Sequence, residues 1–199
     1  NIPINHLFSN GSYQNIIHVI KYSNIKWNTY HIKPYYHYLL KNLNIKSKLI
    51  HIFEIFNKYY PNFFKDFNYL TGTNIFYDAL FTWDLKLLKF LWKNTNSDYY
   101  LPIDSFHSFE IAYKFKKFNI AEFIWTKIKN THDFSETNKY GENLCGVLLH
   151  YMHIFKNKKI KKFEKDIIMK CDQWNLFNVD KKTNFHLITQ LNQIGRAHV

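Results

Sequence analysis

Thr71-Gly-Thr-Asn-Ile-Phe-Tyr-Asp-Ala79 and Asp104-Ser-Phe-His-Ser-Phe-Glu-Ile-Ala112 are two versions of one nonamer. Each leads at the same offset into a second apolar helical pattern. The first is Trp83-Asp-Leu-Lys-Leu-Leu-Lys-Phe-Leu91 and the second Lys116-Lys-Phe-Asn-Ile-Ala-Glu-Phe-Ile124. A fixed period, such as that from Thr71 to Asp104, is the mark of stacked supersecondary units, none of which can bury its apolar side alone.

Two further copies follow. Thr137-Asn-Lys-Tyr-Gly-Glu-Asn-Leu-Cys-Gly-Val-Leu148 comes at a slightly longer interval, and Asp180-Lys-Lys-Thr-Asn-Phe-His-Leu-Ile188 at a longer one again. The last interval is stretched by a lysine-rich insertion, Lys156 to Lys162, read as a solvated loop. Ile160 to Cys171 is then a displaced second helix.

At the nonamer these lines resemble ankyrin repeats, whose pattern runs Asp-Gly-x-Thr-Pro-Leu-His-Leu-Ala. The last copy matches at Asp180, Thr183, His186 and Leu187. The Gly position is held by Gly72, Ser105, Gly141 and Lys181, and the Thr position by Asn74, His107, Asn143 and Thr183. Phe76, Phe109, Cys145 and Phe185 stand at the Leu position; Ala79, Ala112, Leu148 and Ile188 close the first helix. The family proline is absent (Ile75, Ser108, Leu144, Asn184), and Asp78 stands where an apolar residue is expected. A degenerate tetratricopeptide-like or HEAT-like array is the structural alternative. Divergent ankyrin arrays in AT-rich sequence resemble those of large DNA viruses and some protists.

The expected fold is therefore an all-α ankyrin-repeat solenoid of stacked helix-turn-helix units with short hairpin-like loops. Residues 1–70 would hold degenerate helical repeats and 71–193 about four ankyrin-like repeats, starting near 71, 104, 140 and 180. In the first part, apolar residues at 16, 17, 19 and 20 mark one helix face. Pro34 suits a first helical turn, which predicts a helix over Tyr35 to Leu43. Leu49 to Phe56 makes the next, closed by Pro61. Ile194-Gly-Arg-Ala-His-Val199 resembles a translated sequencing adapter. It is expected to be a non-native tail on a fragment of a longer reading frame.

Composition narrows the function classes. Hydrophobic residues make up 46% of the 199, so the chain can bury a core. Aromatics reach 20%, and Phe, Tyr, Asn, Ile and Lys all belong to AT-rich codons. The net charge is +12, yet all but one of the 27 basic residues are lysines, Arg196 being the sole arginine. Sequence-specific nucleic-acid readers lean on arginine's bidentate fork. The basic surface thus suits at most non-specific binding of nucleic acid or another polyanion. Two cysteines form no disulfide framework and fit a reducing, intracellular compartment. The cytoplasm is the expected location. No apolar run approaches the length of a membrane helix.

The sequence holds no Gly-rich phosphate loop, nucleophile elbow, zincin helix or kinase set. Cys145, His150, His153 and Cys171 are the best metal candidates, but their spacing matches no structural zinc site, and Cys145 fills a core position. The expectation is a non-catalytic module without cofactor, metal, small-molecule substrate or membrane. Its partner would be another protein, bound through the concave face. By repeat phase, that face would carry Thr73, Phe81, Thr82, Phe106, Lys114, Phe115, Tyr140, Glu142, His150 and Tyr151. Aromatic side chains at such positions can act as hot spots.

Overall fold

A computed structural model describes residues 4–23, 36–61, 64, 75–94, 101–130, 137–138, 141–155 and 160–173. Residues 75, 77, 101–105 and 171–173 are described by their backbone alone. The described residues are mostly helical and include no strand, so the chain is all-α. The chain divides into two compact units, Asn1–Leu101 and Pro102–Val199.

The first unit opens with α1 (Ile4–Asn10) and α2 (Tyr13–Tyr22). Ser12 caps α2, its hydroxyl accepting from the Asn15 N–H, and Ile16, Ile17 and Ile20 form the buried stripe. Gly11 between the helices has no substitute, because a Cβ there would collide with the Leu7 carbonyl oxygen. Residues 36–41 form α3. The helix expected to reach Leu43 stops at residue 41 because Asn42 leaves the helical conformation. Buried Asn42 donates from Nδ2 to the carbonyls of Phe8 and Gly11, at 3.0 and 3.1 Å. Those carbonyls lie at the end of α1, where no helical partner exists. Its Oδ1 starts the 3-10 turn Leu43–Lys48, which runs into α4 (Leu49–Tyr59).

α5 (Ile75–Leu80) and α6 (Leu85–Asn94) follow among the described residues of this unit, in which α2 packs on α4, α4 on α6 and α5 on α6. The carboxylate of Asp78, unexpected at an apolar repeat position, accepts a hydrogen bond from the Tyr36 hydroxyl and lies 3.7 Å from His37 Nδ1. A polar residue at this position is thereby satisfied from α3.

The second unit contains α7 (Leu101–Lys114), α8 (Phe118–Ile128), α9 (Leu144–Phe155) and α10 (Lys162–Gln173). α7 begins earlier than the nonamer implies, with Asp104 to Ala112 wholly inside it. Pro102 falls in its first turn, where a missing N–H leaves no hydrogen bond unmade. The Tyr113 ring packs on Phe118, Tyr151, Phe155 and Phe163, joining the four helices described in this unit. Beneath it Glu164 is fully buried, accepting from the Tyr113 hydroxyl and from the Lys161 backbone N–H, both at 2.6 Å. The second contact is the reciprocal half of a capping box at the start of α10.

The repeat phase recurs in three dimensions. Phe76, Ala79, Leu80, Leu87, Leu88 and Leu91 are buried, and so are their counterparts Phe109, Ala112, Tyr113, Ile120, Ala121 and Ile124. The turns between the paired helices match as well. Trp83 and Lys116, separated by the same interval as Thr71 and Asp104, are the two non-glycine residues with positive φ among those described, at 55° and 58°. The fourth nonamer, Asp180 to Ile188, lies outside the described residues, as does Ile194 to Val199.

Candidate interaction face

The third nonamer builds the most developed polar site. Its loop turns at Gly141, whose φ of 76° suits a residue without a Cβ. An antiparallel bridge pairs Thr137 with Asn143 across this turn. Asn138 holds the turn closed, its N–H donating to the Glu142 carbonyl at 2.9 Å and its Oδ1 accepting from the Glu142 N–H at 3.0 Å. Asn143, at the Thr position of the pattern, then caps α9 by accepting from the Gly146 N–H at 2.9 Å.

This loop brings together side chains that are distant in sequence. The Asn138 amide donates to Glu110 of α7 at 3.3 Å and to Glu142 at 3.1 Å. His107 Nδ1 lies 3.4 Å from Glu110, and His150 Nδ1 lies 3.2 Å from Glu142. The result is a chain of imidazole, carboxylate, amide, carboxylate and imidazole across α7, the loop and α9. Both histidines are about half exposed (56% and 51%), whereas Glu110 is mostly covered. The arrangement presents fixed hydrogen-bonding groups on the surface of a strongly basic chain. Among the described residues no group of three or more histidine, cysteine or acidic side chains is placed to hold a metal. Cys145 is buried, and His150 faces Glu142. The Cys171 side chain lies outside the described residues.

The residues expected on the interaction face divide into four groups. Glu142 and His150 meet directly, and Tyr151 beside them is half-buried, its ring 5.2 Å from His150. Phe81, Lys114 and Phe115 are exposed at the turns between paired helices, Phe81 by 50% and Phe115 by 54%. Thr73 and Tyr140 lie outside the described residues.

The repeat phase misplaces two residues. Phe106 is buried, only 3% exposed, because α7 extends upstream of its nonamer and turns this ring inward. Thr82 is buried too. Its hydroxyl donates to the Ala79 carbonyl at 2.7 Å and accepts from the Asp84 N–H at 3.3 Å. Neither side chain is presented to a partner.

The phase also leaves His107, Glu110 and Asn138 unmarked as site residues. The i,i+3 spacing of His107 and Glu110 on a helix is a usable signal. The position of Asn138 is not, since it depends on a turn of the loop. No helix among the described residues is long and apolar enough to cross a membrane. Compared with known proteins, the chain matches no protein-family model, no curated protein and no solved structure.

Proposed function

We propose that this chain is an ankyrin-like helical repeat array that binds another protein through its loops and first helices, without catalysing a reaction. The observation that carries this reading is the recurrence, at one fixed interval, of one buried core pattern and one left-handed inter-helix turn. A unit of this kind gains stability from its neighbours and leaves a repeated surface for recognition. In the second unit that surface holds Phe115, which is 54% exposed, and the His107 to His150 chain of polar groups; in the first unit the equivalent turn holds Phe81. Large aromatics at exposed turns suit partner anchoring.

Site-specific photocrosslinking tests it. With the crosslinker at Phe115 or His150, one defined protein partner should be captured. With it at Glu122 or Lys127, on the exposed side of α8, capture should be weak. Equal capture from all four positions, or none, would sink the assignment of the face.

The second reading, non-specific binding of nucleic acid or another polyanion, is favoured by the net charge of +12. It predicts affinity that falls steeply with salt and ignores sequence. No binding to single-stranded or duplex nucleic acid at low salt would remove it.

A further inference from the structure

The first unit contains a cleft of about 440 Å³ between α4 and α6. Its apolar floor is Phe64 with Phe90, two rings packed edge to face at 5.8 Å. Lys58 and Lys93 stand on its rim, each exposed and each in the last turn of its helix. Asn57 and Asn94 add amide groups to the walls. Glu54 also lines the cleft, with its carboxylate 3.3 Å from His51 Nδ1.

We propose that this cleft binds an acidic peptide segment of a partner protein, seating one apolar side chain over Phe90 with carboxylates beside Lys58 and Lys93. The proposal rests on the reading of the chain as a protein-binding array and adds to its loops and first helices a second contact surface, between α4 and α6 of the first unit. A lysine at each helix end complements the helix dipole. That accounts for the two charges separately, but not for an apolar floor lying between them. The volume falls within the range of ligand sites, about 300 to 1,000 Å³. Asn57 can donate to and accept from a peptide backbone, and Asn94, whose Nδ2 donates to the Phe90 carbonyl at 2.7 Å, offers its Oδ1 as an acceptor. The excess of 27 basic over 15 acidic residues supplies long-range attraction for an acidic partner.

The floor favours a side chain over a nucleobase. Stacking on a single strand needs an open aromatic face. Phe64 is only 3% exposed, and Phe90 is half-buried against it. An inserted leucine or phenylalanine needs only apolar contact.

The test uses the full chain and fluorescence anisotropy. The probe is a short labelled peptide of aspartate and glutamate with a central leucine. Comparison probes are the same peptide with alanine for leucine and an oligonucleotide of equal charge. The double variant Lys58→Ala/Lys93→Ala should weaken leucine-peptide binding about fivefold. The equally charged control Lys46→Ala/Lys48→Ala, on the exposed 3-10 turn, should change it less than about twofold. Removing the leucine should weaken binding about tenfold.

Equal losses in the two double variants would overturn the proposal in favour of general charge attraction. Tighter binding of the oligonucleotide would overturn it in favour of a polyanion site, and so would indifference to the leucine. No binding of the leucine peptide would overturn it outright. Absence of leucine-peptide binding alongside intact partner crosslinking from Phe115 and His150 would overturn the cleft alone, leaving the protein-binding reading intact.

Discussion

The pairs α5–α6 and α7–α8 carry the same buried pattern and the same left-handed turn, but close that turn by different means. At the end of α7 the backbone does it alone. The Lys117 N–H donates to the Ala112 carbonyl at 2.8 Å and the Lys116 N–H to the Tyr113 carbonyl at 2.9 Å. This is the Schellman pattern, with Lys116 as the left-handed residue. At the end of α5 the inner bond recurs, from the Trp83 N–H to the Leu80 carbonyl at 3.0 Å. There the Thr82 hydroxyl stands between the Ala79 carbonyl and the Asp84 N–H, relaying the outer bond. Asp84 then caps α6, accepting from the N–H groups of Lys86 and Leu87. A side chain does in one pair what the main chain does in the other. Thr82 is therefore committed to the fold, while Phe115, its counterpart, is about half exposed.

The largest expected contrast lies at the tryptophans of the two second helices. Trp125 is 1% exposed, and its indole N–H donates to Asp166 of α10 at 2.8 Å. Trp92, at the same phase, is only half-buried, edge-on to Phe76 at 5.5 Å. Trp125→Ala should cost about 4 kcal/mol, from the cavity and the unpaired Asp166 together. Trp92→Ala should cost about half as much, since less surface returns to water. Urea unfolding followed by circular dichroism gives both values. Equal losses would mean that the two pairs share one packing environment after all.

Phe106→Ala comes next, at about 3 kcal/mol, because the ring is buried in α7. Phe115→Ala on the neighbouring turn should change stability by less than about 0.5 kcal/mol. A Phe106 variant with unchanged melting temperature and reduced partner capture would return this residue to the interaction face.

Smaller effects separate side-chain from backbone closure. Thr82→Val keeps the volume of the side chain but removes its hydroxyl, leaving the Asp84 N–H without its acceptor. It should cost about 1 to 2 kcal/mol. Asn143→Ala removes the cap of α9 and should cost about 1 kcal/mol. His107→Ala, at the same repeat phase but inside α7, should be close to neutral, because its pairing with Glu110 is exposed on the histidine side. Thermal melts of the three variants would rank them, and a His107 loss as large as that of Asn143 would contradict the local reading.

What the sequence made legible was the period, because burial repeats with it. Phe76 and Phe109, or Leu87 and Ile120, can be paired from spacing alone. The helix starts are less legible, since they depend on local chemistry that the period does not carry. Gly141 and Asn143 give the third copy a bridged, capped loop, whereas in the second α7 runs through the corresponding positions. The polar site is legible only in part. Glu142 and His150 stand at variable positions, but their link to Glu110 passes through Asn138, whose placement is set by the turn. Phe106 and Thr82 mislead for the same reason: phase indicates which face a residue shares with its counterpart, provided the backbone at both is alike.

The left-handed residue itself gives the smallest test and the only one expected to stabilise. A lysine at φ 58° carries a Cβ that this conformation disfavours. Lys116→Gly removes that strain, at the loss of the Lys116 ammonium from the Phe155 ring, 4.8 Å away. The Lys116 side chain is exposed, so the strain should dominate and the variant should gain about 0.5 kcal/mol. Trp83→Gly relieves the same strain but also removes the ring from its edge contact with Phe81, at 6.1 Å, and should come out near neutral or below. A gain in Lys116→Gly alone would show that the two turns share a backbone conformation but not the contacts that hold it. A loss in both would mean that the side chains stabilise the turn more than the left-handed conformation strains it.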